Sequence, residues 1–139
     1  MKSWVDHLLA HPLGMLIGYF SVAILGLIIF LYLFELVARY NSWKEIQSGN
    51  VSVSLATGGK IFAICNVMRY SIEGKTNIYD TMKWAFFGYI LLFAAYLLFE
   101  FLTPLFSVDE EIRKDNRAVG ILSMLISVSL SYVIGACIF

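Results

Sequence analysis

Three ionisable side chains lie inside long apolar stretches of this 139-residue chain: Glu35, Lys60 and Glu100. Insertion scales make a charge at the bilayer centre unfavourable by about 2.5–3.5 kcal/mol, so such a group needs a partner or a task. Two arrangements meet that need. In one, Glu35 pairs with Arg39 a helical turn further on, and Lys60 pairs with Glu35 or Glu100 as structural glue. In the other, the two glutamates line a polar seam that binds or relays a proton or metal cation, with Lys60 as internal counter-ion. Glu35 stands six residues before Asn41, and Glu100 six before Phe106. At the helical rise that is about 9 Å from the chain's exit. Lys60 is deeper, about 15 Å into its stretch, and its long stem can reach towards either glutamate.

Other chemistry finds little support. No CxxC or Cys/His cluster is present, and Cys65 and Cys137 fall in apolar sequence, where cysteine behaves as a small hydrophobe. No Gly-rich phosphate loop, nucleophile elbow or HExxH occurs. Neither an enzyme nor a cofactor is expected. His7 and His11 are four apart and could share a helical face, but no third metal ligand is visible. They belong to Met1–Pro12, a mixed stub that suits the membrane interface. Ten Lys+Arg balance ten Asp+Glu, so the basic footprint of nucleic-acid binding is missing.

The elements that position these residues follow from composition. Hydrophobic residues make up 60% of the chain and charged residues only 14%; mean hydropathy is +0.78. A soluble globule this small could not bury so much apolar surface. The fold class is therefore an all-α membrane protein in one domain, residues 1–139. Spanning takes about 20 apolar residues. Leu13–Phe34 and Ala118–Phe139 meet that without a charge, Val51–Met68 meets it with Lys60, and Trp84–Phe106 meets it with Glu100. None alternates as barrel strands do. The first is too long for a signal-peptide core and is expected to be retained. Connectors 40–50, 69–83 and 107–117 leave no room for a domain outside the membrane. Tyr40, Trp43, Tyr70, Tyr79 and Trp84 fall near the expected interfaces.

The two halves resemble each other. Leu33-Phe34-Glu35 matches Leu98-Phe99-Glu100, and Ser42-x-x-Glu45 matches Ser107-x-x-Glu110, at an offset of 65. After a one-residue slip, Glu45-Ile46-x-x-x-Asn50 matches Glu111-Ile112-x-x-x-Asn116. Ser-x-x-Glu reads as a capping box opening a short surface helix. Asn50 and Asn116 stand where N-caps of the next spans belong. The fold is thus four spans as two parallel two-helix repeats, about 13–72 and 79–139, related by an axis along the membrane normal. Both capped loops then face one compartment. They carry five Lys/Arg against four on the opposite side, a small bias towards placing loops 40–50 and 107–117 in the cytoplasm.

Small residues mark packing faces, because helices in lipid associate by close backbone approach. Ser123, Ser127, Ser131 and Gly135 recur every four residues, Gly14 and Gly18 form a GxxxG, and Gly58 and Gly59 adjoin in the second span. These faces serve contacts within the bundle or between subunits of a homo-oligomer.

The stretch Gly49-Asn50-Val51-Ser52-Val53-Ser54-Leu55-Ala56-Thr57-Gly58-Gly59 resembles the start of the second helix in the YjfL/YshE family of small bacterial inner-membrane proteins. Thr103-Pro104 before Asp109-Glu110 is similar to that family's acidic pre-cap segment. The resemblance covers residues 13–139. It implies four spans in two repeats, a bacterial inner membrane and no established activity. Some relatives look to be encoded beside PspA-like membrane-stress proteins, which implies an envelope-stress context and a PspA-like partner. Lys60 and Ala38-Arg39 depart from the family pattern. The expected function is a non-enzymatic, oligomeric membrane anchor or sensor in the lipid bilayer. The alternative is a small channel or transporter subunit for protons or cations past Glu35 and Glu100.

Overall fold

The computed structural model describes residues 4–74, 77–101 and 107–138, with the side chains of Val5, Glu100 and Phe101 outside that description. Most of the described residues are helical, and none of them forms a strand. In order they form α1 (Trp4–Ala10), α2 (Pro12–Val37), α3 (Ser42–Gln47), α4 (Val51–Gly74), α5 (Ile78–Phe101), α6 (Val108–Arg113) and α7 (Arg117–Ile138). α2, α4, α5 and α7 are each long and apolar enough to cross a bilayer. α3 and α6 are the short surface helices of the two connectors.

The helices outrun the apolar stretches. The 69–83 connector, read as a loop, is helical over 69–74 and 78–83. Its charges extend the helices rather than end them: Arg69 and Glu73 pair at i, i+4 with Nε 3.2 Å from Oε1. Asp80 and Lys83 sit in the first two turns of α5.

α4 is the central helix: 61% of its apolar window is buried, against 6% for α2. The reason is composition. α4 carries Ala56, Gly59 and Ala63 where others carry large side chains, so its neighbours come close. A Cβ at Gly59 would stand 2.8 Å from Met124 Cα, and one at Gly120 would stand 2.8 Å from Ser52 Cα. α4 and α7 therefore touch backbone to backbone, the way small residues bring helices together in lipid. One apolar cluster joins all four long helices through Phe30, Phe34, Ile64, Val67, Tyr89 and Ile134. A second lies under the connectors and comprises Tyr40, Val53, Ala56, Val108 and Ile112.

Candidate functional site: a buried polar cluster under two linked connectors

The connectors supply the local geometry. Each of α3 and α6 leaves free N–H groups at its start and ends in a left-handed residue, Gly49 (φ 94°) or Asp115 (φ 61°). Asn50 and Asn116 follow and cap the next spans: Asn50 Oδ1 accepts from Val53 N–H at 3.0 Å, and Asn116 Oδ1 from Val119 N–H at 3.5 Å. Their amides donate back to Glu45 and Glu111 at 3.3 and 2.9 Å. Backbone bonds agree too: Asn50 N–H to Glu45 O and Asn116 N–H to Glu111 O are both 3.0 Å. The two connectors thus make one set of bonds at an offset of 66.

That offset corrects one expected cap. Ser107 does cap α6, its Oγ accepting from Glu110 N–H at 3.4 Å. Ser42 does not cap α3. Asn41 does, accepting from Lys44 N–H at 3.1 Å. A cap at Asn41 moves Glu45 one position beyond the reach a capping box requires. Ser42 becomes the first helical residue and is buried, and its free N–H donates to Glu35 Oε1 at 2.8 Å. Glu35 therefore serves the connector. It makes no ion pair with Arg39 among the described residues.

The connectors are linked to each other. Asn50 Nδ2 donates to Arg113 O at 2.8 Å, Ser52 N–H to Asp115 Oδ1 at 2.9 Å, and Ser52 Oγ to Asn116 O at 2.9 Å. Arg39 N–H donates to Asp109 Oδ2 at 3.3 Å. Asp109 is 2% exposed, between Val108 and Ile112 on the buried face of α6. Its other oxygen accepts from Tyr96 OH at 2.8 Å.

Tyr96 leads inward to Lys60. The Lys60 Nζ lies 4.6 Å from the Tyr96 ring centroid and 5.6 Å from that of Phe34. These two rings meet edge to face at 5.5 Å. Lys60 is only 4% exposed. Aromatic faces favour a desolvated ammonium by cation–π attraction. Beside it is a cavity of about 20 Å³, room for roughly one water. Ser123, Ser127 and Leu92 share its wall. The third expected member, the Glu100 side chain, falls outside the described residues, as do Thr103 and Pro104.

The remaining small residues separate by partner. Ser123, Ser131 and Gly135 are buried, and Gly59 and Gly135 pack against Met124 and the Tyr70 ring across the α4–α7 contact. Gly14 and Gly18 face Leu8 and Leu9 of α1. Gly58 faces open space. His11 caps α2, its Nδ1 accepting from Leu13 N–H at 3.3 Å. No group of three His, Cys, Asp or Glu suited to a metal occurs among the described residues.

Sequence reasoning missed Asp109 as a buried group and missed Asn66, whose amide donates to Ser131 Oγ at 3.0 Å inside the α4–α7 contact. Asn66 did carry a signal. An amide within an apolar span is costly unless it bonds across helices. Asp109 carried a weaker one, its place within the apolar i, i+4 pair Val108 and Ile112.

Comparison with known proteins agrees with this architecture. The family model for a domain of unknown function, DUF350, matches residues 7–138. The UPF0719 transmembrane protein YshE of Bacillus subtilis (strain 168) is 50% identical over 119 residues, 86% of this chain and 89% of that protein. No solved structure matches the chain.

Proposed function

Because the chain belongs to the DUF350 family, whose description assigns no activity, we propose a function from its geometry: a non-enzymatic, multi-pass anchor that holds two short helices as one rigid face at the membrane surface. The observation that carries this reading is the linkage of the connectors. Asn50, Ser52 and Arg39 of the first half bond to Arg113, Asp115, Asn116 and Asp109 of the second. Two loops needed only to reverse the chain have no cause to be bonded together.

In this reading the membrane is the bacterial inner membrane and the linked face is cytoplasmic, where exposed Lys and Arg are favoured. The single domain is two repeats, supported by the connectors' matching hydrogen bonds. The anchor acts as an oligomer in envelope stress, holding a PspA-like soluble partner. That context is supported only by the family resemblance.

One observation favours a second reading. Lys60 is 4% exposed within a span, beside a cavity that includes Ser123 and Ser127. A proton- or cation-conducting subunit would use such a group. The cavity, about 20 Å³, has room for about one water rather than a file of them, which favours the anchor.

Proteoliposomes loaded with a pH- or potassium-sensitive dye decide between the two. The anchor gives flux no faster than empty vesicles. Flux above that level, lost in Lys60→Met, overturns the anchor and establishes transport.

A further inference from the structure

We propose that the connector face binds the phosphate of anionic phospholipid headgroups in the leaflet around it. Residues 35–50 and 107–117 hold six acidic residues (Glu35, Glu45, Asp109, Glu110, Glu111, Asp115) and five basic ones (Arg39, Lys44, Arg113, Lys114, Arg117). Formal charge here is 5 − 6 = −1, which by itself would repel phosphate. The structure sorts these charges by direction.

The carboxylates are turned inward and engaged. Glu35 accepts from Ser42 N–H, Glu45 from Asn50, Glu111 from Asn116, and Asp115 from Ser52 N–H. Asp109 accepts from both Arg39 N–H and Tyr96 OH. All five are buried or half-buried. Glu110 is held by Arg113.

The cations point outward. Arg39, Lys44 and Lys114 are exposed and make no ion pair among the described residues. Arg117 is 66% exposed, with its Nε 3.8 Å from Asp115 Oδ2. A phosphate approaching the protein's edge meets four cationic groups before any uncommitted carboxylate.

Position makes the ligand a lipid. Arg39 lies two residues beyond the end of α2, and Arg117 opens α7. Both stand where a span leaves hydrocarbon. Trp43, 56% exposed on α3, is a residue that settles at headgroup depth. Juxtamembrane Lys and Arg are drawn to anionic lipid and the attraction is screened by salt. The inference depends on the connectors lying at one membrane surface, and not on whether the protein anchors a partner. A flux result therefore leaves it untouched.

The test uses the full chain in nanodiscs of phosphatidylglycerol and phosphatidylcholine at 1:3, with retained lipids identified by native mass spectrometry. Phosphatidylglycerol is expected to be enriched about threefold or more over its bulk share. Raising salt towards 1 M should erase the enrichment, a control that needs no variant. The quadruple variant Arg39→Gln, Lys44→Gln, Lys114→Gln, Arg117→Gln should return it to bulk. Retention of the two lipids by wild type at their 1:3 bulk ratio overturns the proposal, as does enrichment that survives in the quadruple variant. Displacement of phosphatidylglycerol by an equal concentration of inorganic phosphate overturns the lipid source in favour of soluble phosphate. Binding of a soluble acidic peptide without lipid enrichment overturns it in favour of a protein.

Discussion

Tyr96 of α5 donates its hydroxyl to Asp109 of α6 while its ring lies 4.6 Å from the Lys60 ammonium of α4. One side chain thus connects a carboxylate under the membrane surface to a cation within the span. Tyr96→Phe keeps the ring and removes the bond to Asp109. It should lower stability by about 1.5–3 kcal/mol, as for a hydrogen bond to a charged group. Unfolding in mixed micelles measures this. A loss no larger than that of an exposed control, such as Tyr79→Phe, would reject the connection.

Lys60→Met separates structure from task. Replacing a buried charge together with its partners is often neutral, but removing the charge alone leaves those partners unmatched and forfeits its cation–π attraction. The anchor reading expects Lys60→Met, which keeps the volume but loses the ammonium's contacts with the Tyr96 and Phe34 rings, to fold with lowered thermal stability, measured by circular dichroism in detergent, and with no change in flux. Lys60→Ala should fall below it, because the cavity grows.

The α4–α7 contact predicts a contrast between adjacent glycines. Gly59→Ala places a methyl 2.8 Å from Met124 Cα, a backbone atom that cannot step aside cheaply, whereas the space beside Gly58 is open. Gly59→Ala should destabilise by about 1–3 kcal/mol. Gly58→Ala should be neutral or slightly stabilising, since alanine favours helix over glycine. Melting temperatures of the two variants, side by side, are sufficient.

Asp115 does two jobs, and substitutions divide them. Its backbone is left-handed at φ 61°, and its Oδ1 accepts from Ser52 N–H. Asp115→Asn keeps both and should be near wild type. Asp115→Gly keeps the conformation and loses the acceptor. Asp115→Ala loses both and should be the least stable, by about 1–3 kcal/mol. Chemical denaturation of the series should give that order.

The Glu110–Arg113 pair carries a pH signature. The hydrogen bond from Arg113 holds the Glu110 carboxyl below the ordinary range. A depressed carboxyl stabilises the fold above its unfolded pKa, and the effect is lost as pH falls through its folded pKa. Both side chains are more than a third exposed, so the effect is small and screened. Wild type should exceed Glu110→Gln in stability near neutrality, and the two should converge on acidification below the usual glutamate range.

The long elements were legible because hydrophobic length needs no tertiary information. Leu13–Phe34 became Pro12–Val37, and Ala118–Phe139 became Arg117–Ile138. Helix ends were less legible: charged residues such as Arg69 and Glu73 read as loop but pair along a helix. Asn50 and Asn116 were visible as caps because each directly precedes an apolar run. Ser42 misled because Asn41 beside it is also a cap-forming residue, and only the offset of 66, which sets Asn41 opposite Ser107, points to the one that caps. Asp109 was hidden because its carboxylate is satisfied by Arg39, 70 residues away in sequence, and by Tyr96 on another helix. The serine ladder fitted either a bundle contact or a subunit contact. The structure places Ser123 and Ser131 against α4, inside one chain.

Gly14 and Gly18 are occupied by Leu8 and Leu9 of the protein's own amino-terminal helix. A sequence motif that usually advertises a docking stripe is thus already covered from within. Trimming the first ten residues would uncover that stripe and offer a close-approach face that Leu8 and Leu9 otherwise fill. Assembly states measured on such altered proteins would then report on the alteration.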